Sequence, residues 1–325
     1  MGWIGRSIQP ISLKKMNSNL LKPMIKTKAE RPRQSYRRRL LMENIWAFGF
    51  LALALVGFLG LNIVPIVASL FLSFTNWDAL GAPSMVGFSN FIKLTQDPIF
   101  FRALWNTIYF TAISVPGGMI ISLALAMLLN RTLSGMSFFR TMFMLPVISS
   151  TVATALLWGL MLDPYIGLLN YILQAVHLPT SGWLTDVNMA MPAIIVISMW
   201  KGLGYNMVLF LAGLQGIPQE LFEAARIDGA NRWKEFFNIT VPLLSPTTFF
   251  VLVISLISSF QVFDQTYVLT KGGPQNATIT LVYYVYQTGF QQLRMGYASA
   301  ISFVLFIVSL LFVALQFRLF RERAA

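Results

Sequence analysis

Six mainly apolar stretches recur along this chain of 325 residues, at residues 45–74, 105–129, 139–162, 189–214, 247–269 and 297–319. Each exceeds the roughly 20 residues that cross about 30 Å of hydrocarbon as a helix. A water-soluble fold has no place to hide so many. Hydrophobic residues make up 56% of the chain and charged residues 11%, against about 45–50% and about 25% in soluble domains. Too few charges exist to build a polar skin, so the apolar residues must face lipid. The expected fold class is all-α, a polytopic integral membrane protein with six transmembrane helices. Segments rich in Gly, Pro, Asn and Asp, such as 75–83, 163–167 and 271–276, supply the turns between them.

The basic residues orient these spans. Residues 1–44 form a basic tail with 11 of the 24 Lys and Arg, and residues 45–325 form the transmembrane domain. The first apolar run is too long for a signal-peptide core, so no cleaved leader is expected. With six spans both termini share a side. Nineteen Lys and Arg lie on that side and four on the other, with Lys201 inside a span. The asymmetry places both termini in the cytoplasm. The tail then reads as a topology anchor on anionic lipid rather than a nucleic-acid site. The chain has no Cys and one His, His177, so neither a disulfide framework nor a multi-histidine metal site is expected, and no catalytic residue stands out. His177 reads as a surface residue.

Loop 215–246, after the fourth span, is the most informative segment. Pro218 suits the first position of a helix, Glu220 and Glu223 suit its first turn, and Gly229 suits a left-handed stop. A short cytoplasmic helix follows, with an apolar face at Leu221, Phe222 and Ala225, and a second short helix fits residues 231–237. Such a helix has only the span ends or a partner protein to pack against.

Glu223, Ala224 and Ala225, followed by Asp228, Gly229 and Ala230 and then Ile239 and Pro242, resemble the EAA loop of membrane-spanning subunits of binding-protein-dependent ABC importers. Phe139 and Arg140 with Leu145 and Pro146, Leu211 to Leu214 with Ile217 and Pro218, and Leu269 and Thr270 with Gly272 to Pro274 are similar to the carbohydrate-uptake branch, the maltose and glycerol-phosphate type permeases. The resemblance runs from residue 47 to the C-terminus. It implies the type I ABC importer permease fold, with an EAA coupling helix in loop 215–246, in a bacterial or archaeal cytoplasmic (inner) membrane. It further implies a second permease subunit, a dimer of ATP-binding subunits that hold ATP and Mg, and an extracytoplasmic solute-binding protein. Glu223 would then contribute to the contact with the ATPase, alongside Ala224, Ala225 and Asp228, and Gly229 would turn the chain. The residues agree in one respect: no G-x-x-x-x-G-K-[ST] loop is present to hold a nucleotide. No cofactor is expected on this chain.

Lys201 is the one basic residue deep in a span. A charge there costs roughly 2.5–3.5 kcal/mol on insertion scales, so it should face a cavity or a partner group. Trp200 and Tyr205 beside it suit stacking on a sugar face. The resemblance implies solute contacts at Ser198, Lys201, Gly202 and Tyr205, at Ser255 and Ser259 in span five, and at Thr151 in span three. Val147 and Val262 stand at positions that are polar in the maltose type, a departure that leaves open both whether the sugar is the same and whether this subunit is the one that binds it. For Asp264 three placements stay open: lining the outer cavity, pairing with Lys201, or hydration. Asn62 and Pro65 mark a kink packed on neighbours, and Tyr283, Tyr284 and Tyr286 fit a membrane-interface belt.

The expected function is therefore the permease subunit of an ATP-driven importer of a mono- or oligosaccharide, with a polyol or glycerol phosphate as the alternative cargo. A self-contained secondary transporter is the rival class. It needs intramembrane acid pairs or inverted repeats, and neither is evident.

Overall fold

Apolar length sets most of the architecture, and proline and hydroxyl residues set the breaks. The computed structural model describes residues 33–130 and 135–324. The basic tail up to residue 32, and Arg131, lie outside the described residues. The chain divides into two units, Met1–Pro65 and Ile66–Ala325.

In the first unit, α1 (Arg33–Phe58) runs into a π-helical turn at Leu59–Ile63. The ring of Pro65 clashes with the carbonyl four residues earlier, at Leu61, and a π turn accommodates the misfit by admitting one more residue. The irregularity expected at Asn62 and Pro65 is thus present, but Asn62 is exposed rather than packed on neighbours within this chain.

α2 (Val64–Leu72) leads into the second unit. A two-residue antiparallel ladder follows, β1 (Thr75–Asn76) with β2 (Ser84–Met85), Thr75 opposite Met85. Then come α3 (Ser89–Leu94), α4 (Pro98–Leu129), α5 (Met136–Ile148), α6 (Thr151–Met161), α7 (Leu168–Ala175) and α8 (Ala190–Gln215). The remaining helices are α9 (Gln219–Ile227), α10 (Arg232–Glu235), α11 (Val241–Leu243), α12 (Ser245–Phe260), α13 (Asp264–Leu269), α14 (Leu281–Tyr286) and α15 (Met295–Ala324).

Five segments are long and apolar enough to cross a membrane: Leu40–Leu72, Pro98–Leu129, Ala190–Gln215, Ser245–Leu269 and Met295–Arg318. The sixth, expected as one helix over residues 139–162, is instead the pair α5 and α6, bent by 97°. Pro146 weakens the last turn of α5, and Ser149 turns extended, with φ −72° and ψ 150°. Its hydroxyl then donates back to the Pro146 carbonyl at 2.7 Å. Irregular backbone at membrane depth needs internal hydrogen-bond partners. Here Lys201 on α8 supplies them: its Nζ donates to the Pro146 carbonyl at 3.0 Å and to the Ser149 carbonyl at 2.8 Å.

α4 and α8 pack along one another at the centre, and the Ser122 hydroxyl on α4 donates to the Leu203 carbonyl at 3.1 Å. α5 crosses α8 so closely that a Cβ on Gly204 would fall 2.0 Å from the Phe143 carbonyl oxygen. Only glycine fits, as small residues do at close helix crossings in lipid. Met207, Phe210, Leu244 and Val251 are almost completely buried and join α8 to α12.

Asp97 organises the end of the bundle at the start of α4. As N-cap it accepts from the Ile99 and Phe100 amides at 2.9 and 3.3 Å. Its other oxygen accepts from the Tyr297 hydroxyl at 2.6 Å and from the Tyr284 hydroxyl. Burial opposes the Asp97 charge, but these four donors outweigh it and hold the carboxyl below the usual carboxylate range. Burial and the neighbouring Asp97 carboxylate push the Tyr284 hydroxyl up. Tyr283 and Tyr284 are 3% and 5% exposed, so these two belong to the core and not to an interfacial belt.

Candidate functional site

Two regions of the second unit bring the candidate residues together. The first is loop 215–246. Pro218 sits at the N-cap of α9, one position earlier than expected, with φ −58°. Glu220 occupies the first turn, where the helix dipole favours an acid. Phe222 packs against the core around Leu214 and Ile217, while Glu223, Ala224, Asp228 and Gly229 are exposed. The stop is a Schellman motif. The Ala230 amide donates to the Ala225 carbonyl at 2.8 Å and the Gly229 amide to the Arg226 carbonyl at 3.1 Å. Gly229 takes the left-handed φ of 77° that this closure requires.

The second short helix is α10, shorter than the expected 231–237 because residues 236–240 form a π turn. Asn231 caps it by accepting from the Lys234 amide at 2.9 Å. The Arg226 Nε donates to Glu235 Oε1 at 2.8 Å and ties α10 to α9. Arg226 is exposed, so this pair fixes geometry more than it adds stability. Leu221, Ile227, Trp233 and Phe237 are 42%, 87%, 71% and 58% exposed, and the Trp233 and Phe237 rings stack at 6.1 Å. An exposed apolar group of this kind, set among acidic and basic residues, has the composition of a protein contact.

The second region is a cavity of about 540 Å³ between α4, α6, α8 and the α12–α13 segment. Of the residues expected to meet solute, Thr151, Ser198, Gly202, Tyr205, Ser255 and Ser259 all line it. Val262 lines it too, and Val147 does not. Gly202 leaves its part of the wall open, since a Cβ there would meet nothing within 4 Å. Tyr205 is 42% exposed and presents a ring to the space. Trp200 does not line it and packs edge-on against Trp158 at 5.4 Å.

Lys201 is likewise absent from the wall, its ammonium being held at the α5–α6 break. Asp264 does line the cavity, and its carboxylate also interacts electrostatically with the Lys201 ammonium, so the first two of its three open placements hold together. Ser114, Asn206, Ser258, Gln261 and Gln265 complete the polar wall. The Asn206 amide donates to the Ser255 hydroxyl at 3.2 Å and fixes α8 against α12. Ser114 and Ser198 carry buried hydroxyl oxygens with no hydrogen-bond partner among the described residues.

Ser258 continues the spacing of Ser255 and Ser259 and was legible in that pattern. Ser114 gave no signal, because an isolated serine in an apolar span more often bonds its own helix. Among the described residues no group of three or more His, Cys, Asp or Glu is placed to hold a metal ion.

Residues 100–324 match the family described as binding-protein-dependent transport system inner membrane component. The chain is 39% identical over 286 residues to the probable ABC transporter permease protein YurN of Bacillus subtilis, covering 86% of this chain and 97% of that protein. It is 37% identical over 261 residues to the sn-glycerol-3-phosphate transport system permease protein UgpA of Agrobacterium fabrum, covering 80% and 89%. Among solved structures, it is similar to a chain of a bacterial ABC transporter involved in import of the acidic polysaccharide alginate. That match has a TM-score of 0.77 and 27% identity, and covers 88% of this chain and 99% of the other.

Proposed function

Because the chain belongs to the family of binding-protein-dependent transport system inner membrane components, we propose that it passes a carbohydrate from a solute-binding protein into the cytoplasm as one of two permease subunits. ATP is held and hydrolysed, with Mg, on separate ATP-binding subunits. The observation that carries the proposal is the continuity between the two regions. α8 forms one wall of the cavity through Ser198, Gly202, Tyr205 and Asn206, and ends at Gln215, four residues before α9 begins. A displacement of α9 by the ATPase is therefore delivered along a single helix to the solute. Glu223 and the exposed apolar residues of α9 and α10 make the contact, with Ala224, Ala225 and Asp228 shaping the helix end and Gly229 closing it.

Alternating access is then a shift between two populations of the complex, driven by ATP binding at the far end of this connection. The charge asymmetry supports a cytoplasmic position for both termini and for loop 215–246.

The test is Glu223→Lys in the assembled complex. Glu223 is exposed, so insertion and membrane level should stay normal while ATPase association and solute uptake fall at least about tenfold, as truncating a contact of about 1.4 kcal/mol does. Wild-type uptake by this variant would remove α9 from the coupling contact.

A further inference from the structure

In the second unit, the corner where α3 meets α4 sets apolar and basic side chains together on one outer surface. Leu94 and Phe100 turn the inner faces of both helices into a single buried cluster. The opposite faces are bare. Phe88 and Ile92, joined by a helical hydrogen bond of 3.0 Å, are 68% and 59% exposed, and Phe101 and Trp105, four positions apart on α4, are 50% and 62% exposed. Lys93 adjoins Ile92 and Arg102 adjoins Phe101. Both are exposed, and among the described residues neither makes an ion pair. The acids near them in sequence are engaged elsewhere: Asp97 by the Tyr284 and Tyr297 hydroxyls and two amides, Asp78 by the Leu80 and Gly81 amides at 3.1 Å. The corner is held rigidly, because the buried Asn90 amide donates to the Ser73 and Thr75 carbonyls at 2.9 and 2.8 Å.

Depth follows from helix length. α4 has 32 residues and is about 48 Å long, against about 30 Å of hydrocarbon. An even overhang sets about 9 Å of its start among the headgroups. Arg102, about 6 Å along, then lies at phosphate level, and Trp105, about 10 Å along, at the acyl boundary where indole rings collect.

We propose that this corner holds an anionic phospholipid of the outer leaflet, with Lys93 and Arg102 on its phosphate and Phe88, Ile92, Phe101 and Trp105 against its upper acyl chains. The inference rests on the outward placement of this corner. The core of a protein interface is depleted in charge, whereas two unpaired cations beside aromatic and aliphatic groups match a lipid, whose anionic and apolar parts lie at adjacent depths. A bound lipid fixes the height of α4, and with it Ser114 and Val115 in the cavity wall.

The chain has no Cys, so Ile92→Cys gives a single labelling site in the assembled complex once its other chains are freed of reactive thiols. The thiol carries nitrobenzoxadiazole, and the complex is placed in phosphatidylcholine vesicles. The quencher is phosphatidylglycerol or phosphatidylcholine bearing a nitroxide high on one acyl chain. Apolar emission is expected, with quenching by both lipids and an affinity about tenfold higher for phosphatidylglycerol. Lys93→Gln combined with Arg102→Gln should make the two affinities equal. Water-like emission, or apolar emission that neither lipid quenches because a protein covers the corner, overturns the proposal. Equal affinities with both cations in place, or a preference that the double variant keeps, also overturn it.

The side is measured separately. Thr95→Cys, at an exposed position, should be labelled by an impermeant maleimide in intact cells. Labelling only after the cells are opened overturns the outer-leaflet assignment together with the orientation of the chain, whereas a missing lipid preference overturns the lipid site and leaves the orientation standing.

Discussion

Replacing Lys201 with methionine separates two roles that its position alone leaves confounded. Methionine keeps the apolar stem and removes the ammonium. The structure gives the lost contacts as two charge-assisted bonds, 3.0 Å to the Pro146 carbonyl and 2.8 Å to the Ser149 carbonyl. At about 1.5–3 kcal/mol each, they sum to about 3–6 kcal/mol. Against this stands the cost of holding the charge at membrane depth, roughly 2.5–3.5 kcal/mol, which methionine removes. The two effects partly offset, and the midpoints of the two ranges leave a net loss of about 1.5 kcal/mol, located at the α5–α6 break rather than spread over the bundle. Lys201→Met is therefore expected to insert and fold, with a modestly lower Tm, faster amide exchange across residues 145–153, and an altered α5–α6 angle. That angle is readable from spin labels at positions 142 and 157. The solute dependence of ATP hydrolysis should change little, because the ammonium does not line the cavity. A variant with wild-type Tm and exchange but a solute dependence weakened tenfold or more would refute the capping role and place Lys201 on the solute path.

Other changes test separate parts of the structure. Ala224→Cys, exposed on α9, should be labelled by an impermeant maleimide only after the cells are opened, and labelling in intact cells would invert the topology. Asp97 is held below the usual carboxylate range, so its contribution to stability is complete above the unfolded carboxyl pKa of about 3.9 and is lost as pH falls through the lower folded value. Tm should accordingly be insensitive to Asp97 from pH 7 to about 5 and decline below about 4. Asp97→Asn should lower stability at pH 7 by about 1.5 kcal/mol, near the lower limit for charge-assisted bonds because the carboxylate is partly solvated. A thermal series against pH checks both. Gly204→Ala would set a methyl 2.0 Å from the Phe143 carbonyl oxygen. Overpacking of this kind costs about 1–3 kcal/mol or more, and folded yield measured by size-exclusion chromatography should fall.

Five of the spans and the short helix of loop 215–246 were legible because both are written locally. Span length is a property of consecutive residues, and the Gly229 stop needs only its own φ and the two preceding carbonyls. The break at Ser149 was not legible. Pro146 alone is compatible with a kinked but continuous span, and what permits a 97° bend is a donor arriving from α8, more than 50 positions away. The same limit applies to Tyr284, whose hydroxyl partner Asp97 is 187 residues distant. An aromatic-rich segment without that partner does belong at an interface. In the cavity, Ser255 and Ser259 follow from helical spacing. Asp264 does not, since α12 ends at Phe260 and the chain restarts as α13 with a phase that periodicity cannot carry across.

The bend between α5 and α6 lies beside α8, which runs unbroken for 26 residues. The cavity accordingly has one stiff wall and one compliant wall. Thr151 is the first residue beyond the joint and lines the space on the compliant side, facing the rigid row of Ser198, Gly202 and Tyr205. Deformation concentrated at two residues is mechanically cheap and reproducible, whereas the same change spread over a packed core would disturb many contacts at once. The volume of the cavity then follows the angle at this joint.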